Sequence, residues 1–198
     1  MSLFNVNEIK PPDLSAKTES SAISESLQED TVLGNSEQKV HDIIGVIEPG
    51  HVCTFWSVGD WSLYQLVEKL LEQTGPGTEL YLATWSISEL SARKLLGWVE
   101  EGKVSKIVGV IDYRSKNRHP AAFHLAKNVF SKIKIAYCHA KVTALIGGGH
   151  NITINGSANW TENPRLESGV IINSKTTTDK VVGTICEVVE KGQYSIDD

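Results

Sequence analysis

The feature that most constrains the fold is a regular alternation between nearly uncharged apolar runs and amphipathic segments after residue 41. The runs TELYLATWSIS and VSKIVGVIDY carry few charges, which is typical of strands covered on both faces of a sheet. Each is followed by a segment with helical periodicity, SELSARKLLGWVEEGK and PAAFHLAKNVFSK, the second with Pro120 in its first turn. The alternation predicts an α/β fold with a mixed, mostly parallel central sheet flanked by helices on both faces.

A second set of apolar runs predicts strands that pair side by side in the C-terminal part of the chain. The stretch IKIAYCHAKVTALIGGG indicates two strands separated by a short break, and HNITINGS pairs with the second of them as a hairpin through the glycines. ESGVIIN predicts a further strand, and TTTDKVVGTICEVVEKG predicts a closing helix. This hairpin adds an antiparallel element to the predicted sheet.

The first 40 residues differ in composition from the rest of the chain. They hold seven acidic residues against three lysines and show no sustained periodicity, which indicates a flexible acidic tail over residues 1–40 and one domain over residues 41–198. No basic segment precedes an apolar one at the N-terminus, and no apolar run approaches the length of a membrane helix. The three cysteines lack metal-ligand spacing, so we expect a cytoplasmic protein with reduced thiols and no membrane contact.

The net charge of −5 argues against a nucleic-acid partner until the positions of the charges are considered. Residues 103–141 carry nine lysines and arginines, with Asp112 as the only acidic residue. A local excess of cations suits a phosphate-bearing substrate, and a solvated basic face is the alternative interpretation.

Several chemically useful residues lie at the predicted strand ends: His139, Lys141, Gly156, Ser157, Asn159 and Glu167. Residues two apart in a strand point to the same face, so the imidazole of His139 and the ammonium group of Lys141 project together. Gly156 permits a close backbone approach, and the hydroxyl of Ser157 and the amide of Asn159 supply hydrogen-bond donors. If the strand ends converge, the set provides a nucleophile or base, a clamp for an oxyanion and a carboxylate that orients the imidazole.

The stretch HAK…GSANW…LESGVII resembles the phospholipase D superfamily, whose signature is His-x-Lys, four residues, Asp, and then Gly-Ser-x-Asn. The resemblance covers most of residues 50–190 and implies a phospholipase D-like phosphodiesterase domain that works without a metal or another cofactor. It implies that His139 attacks phosphorus and forms a phosphohistidine, while Lys141 and Asn159 hold the non-bridging oxygens. It also implies that Ser157 supports the same loop and that Glu167 accepts a hydrogen bond from His139.

Two departures from this signature bear on activity. Ile146 stands where the signature has its Asp, and the interval from His139 to Gly156 is longer than usual. A hydrophobic side chain cannot replace the hydrogen bonds of a carboxylate, but this position lies at the far end of the predicted strand from His139. The chain also holds a single His-x-Lys pair, whereas the implied mechanism needs two histidines at one phosphorus atom. We therefore expect a two-fold homodimer in which His139 of each chain faces the other.

The leading hypothesis is a metal-independent nuclease that cleaves DNA or RNA as a homodimer. The residues expected to bind the substrate are Gly156, Trp160, Arg114, Lys116 and Arg118. Trp160 would line a groove for bases, and the three cations would follow a phosphate backbone. Two alternatives stay open: a catalytically degenerate module that binds nucleic acid without cleaving it, and, with less support, a phospholipase or phosphatidyl transferase.

Overall fold

The computed structural model describes residues 28–33, 40–59, 61–162 and 165–192, which build one sheet and the helices that cover it. The strands are β1 (Gln28–Leu33), β2 (His51–Ser57), β3 (Thr78–Thr84), β4 (Val104–Asp112), β5 (Lys132–Ala136), β6 (Lys141–Gly147), β7 (His150–Gly156) and β8 (Glu167–Asn173). The helices are α1 (Val40–Ile43), α2 (Leu63–Thr74), α3 (Glu89–Glu100), α4 (Arg114–Arg118), α5 (Pro120–Val129) and α6 (Lys175–Lys191).

The strands are ordered β1-β2-β8-β7-β6-β3-β4-β5 across the sheet. The predicted mixed α/β sheet is confirmed, but parallel pairing is less frequent than predicted. Three of the seven pairings between described strands are parallel, namely β1 with β2, β3 with β4 and β4 with β5. The reason is that short connections join β6, β7 and β8, whereas a parallel pair needs a long crossover.

Helices cover both faces of the sheet, as predicted, and the alternation of side chains along β3 shows how. Leu80 and Leu82 are buried in the larger core, which contains residues of α2, α3 and α5. Tyr81 and Ala83 point to the other face, where Ile185 of α6 lies in a second core. Strands buried on both faces carry few charges, and this is the pattern by which β3 and β4 could be predicted.

Three short elements were not predicted from the sequence. Residues 114–118, within the basic stretch, form the short helix α4, and Val40–Ile43 forms a helical turn. Gln28–Leu33 pairs with β2, although it lies within the predicted acidic tail. Residues 1–27 and 34–39 lie outside the described residues, so the extent of the tail stays a prediction. None of the described helices combines the length and the apolar character that crossing a bilayer requires.

A cluster of hydrogen-bonded polar side chains lies at the edge of the sheet where β6 turns into β7. Asn173 is 2% exposed, donates to the carbonyl of Ile47 at 2.7 Å and accepts from the backbone N–H of Asn151 at 3.0 Å. Nδ1 of His150 lies 2.8 Å from the Asn173 amide nitrogen and 3.1 Å from that of Gln73. His150 thus stabilises the fold at the edge opposite the candidate site.

Candidate active site

The carboxyl ends of β3, β4, β5 and β7 and the amino ends of β6 and β8 meet at one edge of the sheet. Thr84 at the end of β3 lies opposite Lys141 at the start of β6, and Asp112 at the end of β4 lies opposite Ala136 at the end of β5. The predicted site residues at this edge are His139, Lys141, Gly156, Ser157, Asn159, Glu167, Arg114, Lys116 and Arg118. The topology therefore gathers residues that are distant in sequence.

The indole of Trp85 links the two members of the His-x-Lys pair. His139 is exposed in the segment between β5 and β6, and its ring makes an edge contact with Trp85 at 5.9 Å between centroids. Nζ of Lys141 lies 5.9 Å from the centre of the same indole and donates to the carbonyl of His139 at 3.1 Å. Trp85 is half-buried and borders the site.

Two arginines of α4 add positive charge around this indole. Cζ of Arg118 lies 5.1 Å and Cζ of Arg114 lies 5.5 Å from the centre of the Trp85 ring. Lys116 is exposed on the same short helix. Trp85 is therefore surrounded by cations at one edge of the sheet, an arrangement that attracts anionic groups.

Asn159 borders a cleft on the same side of the sheet as Trp85. The cleft has a volume of about 370 Å³ and is lined by Trp85, Ser86, Ser88, His119, Asn159, Thr161, Glu162 and Arg165. Within the described part of the chain, the buried Oδ1 atom of Asn159 and the buried Nε1 atom of Trp85 have no hydrogen-bond partner. Buried polar atoms are nearly always paired in folded proteins, so two unpartnered ones beside this cleft are unusual.

Ser157 joins the loop after β7 to the first residues of β8. Its hydroxyl donates to the carboxylate of Glu167 and accepts from the backbone N–H of Ser168 at 3.0 Å, and its own N–H donates to the carbonyl of Ser168 at 2.9 Å. These contacts hold the loop that leads to Asn159. The hydrogen bond from His139 to Glu167 stays a prediction.

Asp112 is a positioning residue that the sequence analysis missed. Its carboxylate is 0% exposed and accepts from the backbone N–H of Cys138 at 3.1 Å, so it ties the end of β4 to the residue before His139. It also accepts from Nε of Arg114 at 2.7 Å, and this hydrogen bond raises the pKa of Arg114. The sequence did offer a signal for Asp112: it is an isolated acid at the end of an apolar strand, within a basic stretch. Burial raises the pKa of the Cys138 thiol, consistent with the expected reduced and unreactive cysteine.

The expected contact between Trp160 and substrate is wrong. Its side chain is 1% exposed, its Nε1 donates to Oγ1 of Thr143 at 3.1 Å, and its ring packs against Trp98 at 6.3 Å. Its carbonyl accepts from the N–H of Ser88 at 2.7 Å. Trp160 therefore anchors the loop that carries Asn159 from within the core.

The absence of a side chain at Gly156 allows the backbone of the neighbouring strand β8 to approach closely. A Cβ at this position would lie 2.6 Å from the carbonyl oxygen of Ser168 and 3.1 Å from Cα of Gly169. We expected the glycine to admit a substrate, and its role is instead to let β7 and β8 lie close together at the start of the Ser157 loop.

Replacing Gly156 with Ala is therefore expected to destabilise the protein by about 1–3 kcal/mol, since backbone atoms must shift to make room for the methyl group. The matched control is Gly183→Ala in α6, where an added Cβ meets nothing within 4 Å and helix propensity predicts a small gain in stability. Urea unfolding of both variants measures the difference. Equal stability of the two variants would show that the β7–β8 contact tolerates a side chain.

Ile146 lies far from the histidine. It is half-buried, pairs with Glu79 and Asn151, and packs on the core beneath α6. It lies five positions along an extended strand from Lys141, a distance of about 17 Å. Among the described residues, no group of three or more His, Cys, Asp or Glu side chains is placed to hold a metal ion.

Solved structures resemble this chain in fold. The structure of Nuc from Salmonella typhimurium, a phospholipase D family member, aligns with a TM-score of 0.52 at 16% identity and covers 74% of this chain and 97% of that one. Polyphosphate kinase from Porphyromonas gingivalis aligns with a TM-score of 0.52 at 15% identity, covering 71% of this chain and 26% of the kinase. No protein-family model matches the sequence, and neither does any curated protein sequence. The chain has a phospholipase D-like α/β fold.

Proposed function

We propose that the protein is a metal-independent phosphodiesterase that cleaves nucleic acid with His139 as nucleophile. The observation that carries this proposal is the grouping around Trp85: His139 and Lys141 both contact its ring, and Asn159 lines a cleft that Trp85 also lines. An exposed imidazole beside an ammonium group is suited to attack a phosphodiester and to stabilise the charge that develops on its oxygens. The phospholipase D-like fold supports this assignment.

The reaction proceeds in two displacements. A ring nitrogen of His139 bonds to phosphorus while the bond from phosphorus to the leaving oxygen breaks, and that oxygen takes a proton from a second imidazolium. Lys141 and Asn159 hold the two non-bridging oxygens by charge-assisted hydrogen bonds. Water then attacks the phosphohistidine, transfers a proton to the second imidazole and releases a phosphomonoester, which restores His139.

The second imidazole comes from His139 of another copy of the chain in this proposal. A two-fold dimer brings the same surface of both copies together, so two exposed histidines can face one phosphate across the axis. Sedimentation at micromolar concentration tests this requirement, and a dimer is the expected result. A purely monomeric chain that is fully active would contradict the two-histidine mechanism.

Nucleic acid is the proposed substrate because cations flank the site. Arg118, Lys116 and Lys141 are positioned to contact a repeating phosphate backbone at this edge. Release of fragments from DNA or RNA in the presence of EDTA tests the activity, with phospholipid vesicles as a comparison substrate. Headgroup release from the vesicles without cleavage of either nucleic acid would show that the substrate is a phospholipid and not a nucleic acid.

Ile146 favours a second candidate function, a module that binds nucleic acid without cleaving it. On this alternative Lys141→Ala weakens binding of every sequence by a similar factor and lowers the salt dependence of the affinity by about one phosphate contact. Titration of labelled DNA at several salt concentrations measures both quantities. Cleavage by the unmodified chain under the same conditions would exclude a purely binding role.

A further inference from the structure

A row of stacked side chains extends from His139 along the edge of the sheet. Its members are His139, Trp85, Arg114, Tyr113 and Tyr137. Edge contacts join the first two rings at 5.9 Å and the two tyrosines at 4.9 Å between centroids. The guanidinium group of Arg114 contacts one ring of each pair: its Cζ lies 5.5 Å from the centre of the Trp85 ring and 5.3 Å from the centre of the Tyr113 ring. We call Trp85, Arg114, Tyr113 and Tyr137 the aromatic row.

Within the aromatic row, Arg114 acts as a rigid spacer. Its charge is paired with the buried carboxylate of Asp112 through Nε at 2.7 Å and Nη2 at 3.3 Å. A planar guanidinium held by a carboxylate and flanked by two rings fixes their spacing and is less available to a phosphate. Phosphate contacts at this edge are thus expected from Arg118 and Lys141, and the expected phosphate-binding role of Arg114 is replaced by a stacking role.

The row ends in an open aromatic surface. Tyr137 is 43% exposed, whereas its neighbour Cys138 is buried. It is two residues from His139, so their Cα atoms are at most about 7 Å apart. Exposed aromatic side chains next to a charged site are commonly contact surfaces for a ligand.

Tyr137 also borders an apolar recess between the 137–140 segment and α6. The recess has a volume of about 350 Å³, and its walls include Ala136, Tyr137, Val142, Val181, Ile185 and Val188. Lys180 and Thr184 are its polar members. A mostly apolar recess with a few polar groups suits a flat, partly polar ring system.

From this arrangement we propose that an unpaired nucleobase next to the scissile phosphate stacks on Tyr137 at the mouth of the recess, and that the substrate is single-stranded nucleic acid. The proposal rests on the proposed function and specifies its substrate class. Inside a duplex both faces of a base are covered by its neighbours, so a protein ring can stack only on a base that has left the stack. Cations for the phosphate and a ring for the base are the two elements by which proteins bind single strands.

The test measures binding separately from cleavage. Affinities are determined by fluorescence anisotropy in the His139→Ala background, so that no substrate is consumed, with Tyr137 intact, changed to Ala or changed to Phe. The probes are a short single-stranded DNA, its RNA counterpart, an abasic strand of equal length and the duplex. Circular dichroism establishes that each variant is folded.

We expect Tyr137→Ala to weaken binding of the base-bearing single strands roughly tenfold and Tyr137→Phe to leave it nearly unchanged, because one stacked base is lost only in the first case. Binding of the abasic strand and of the duplex should be the same with or without the ring. A loss restricted to DNA or to RNA still supports stacking and identifies the natural strand. An equal loss on the abasic strand, or no loss on any strand, overturns the proposal.

These outcomes differ from those that would refute the nuclease. If the unmodified chain binds single strands through Tyr137 but cleaves neither DNA nor RNA, the hydrolytic function fails and the stacking site stands. If cleavage depends on His139 but the affinity for every probe is independent of Tyr137, the nuclease stands and the stacking site fails.

Discussion

His139→Ala is expected to lower cleavage of a nucleic-acid substrate in EDTA by at least about 10⁴-fold, because the substitution removes the atom that forms the bond to phosphorus. His139 is exposed, and Lys141 next to it donates to its carbonyl. Fragment release under single-turnover conditions is the measurement. Quenching of the unmodified enzyme with labelled substrate in neutral denaturing detergent, which preserves the acid-labile phosphorus–nitrogen bond, should trap a labelled chain, and the variant should yield none.

His124→Ala provides the matched control for this substitution. His124 is exposed on α5. Among the described residues, its one ring contact is with Phe123, at 6.0 Å between centroids. Its removal should leave both cleavage and labelling unchanged. Residual activity of His139→Ala within a few-fold of the unmodified chain would refute the nucleophile assignment.

Asp112→Ala is expected to cost about 2–5 kcal/mol of the free energy of unfolding and to abolish activity, because two backbone N–H groups lose their buried acceptor. Those groups belong to Arg114 and Cys138, at 3.1 Å each from the carboxylate. The loss of activity follows because the Cys138 contact fixes the segment that carries His139. Urea unfolding and the cleavage assay report the two effects.

Asp112→Asn separates stability from positioning. The amide keeps one acceptor oxygen and the side-chain volume, so this variant should recover much of the stability while still impairing catalysis through a displaced segment. Asp179→Ala, which removes an exposed ion pair with Lys175 in α6, should change stability by less than about 0.5 kcal/mol. Full activity in a folded Asp112→Ala protein would show that the segment is positioned by other contacts.

Much of the fold could be predicted from periodicity, since β3, β4 and the helix α3 between them have strong local patterns. The share of parallel pairing could not be predicted as readily, because it depends on the order in which strands are inserted into the sheet. Between β3 and β7 lies β6, which pairs antiparallel with both. The β6–β7 pairing was predictable from the glycines of the turn, whereas the pairing of β6 with β3 joins segments far apart in the sequence and cannot be read from either one.

The candidate site was predictable where its residues form a local pattern. His139 and Lys141 stand two apart, so their proximity is a property of the strand itself. Trp160 and Asp112 show the limit, because burial is a tertiary property: the tryptophan adjoins a motif and yet lies in the core, whereas the acid has no motif and holds the site together. The contacts of Tyr137 with Tyr113 likewise join two different connections of the sheet.

The β6–β7 hairpin has its tight turn at Gly148 and Gly149, both with positive φ, and its free end at the reactive groups. If residues are added at the turn, the hairpin lengthens at the end away from the candidate site, and the pairing near Lys141 is unchanged. The unusually long interval between His139 and Gly156 is accommodated in this way. Hairpin length and the geometry of the candidate site are therefore separable in this fold, because added residues at the turn leave the positions of His139 and Lys141 unchanged.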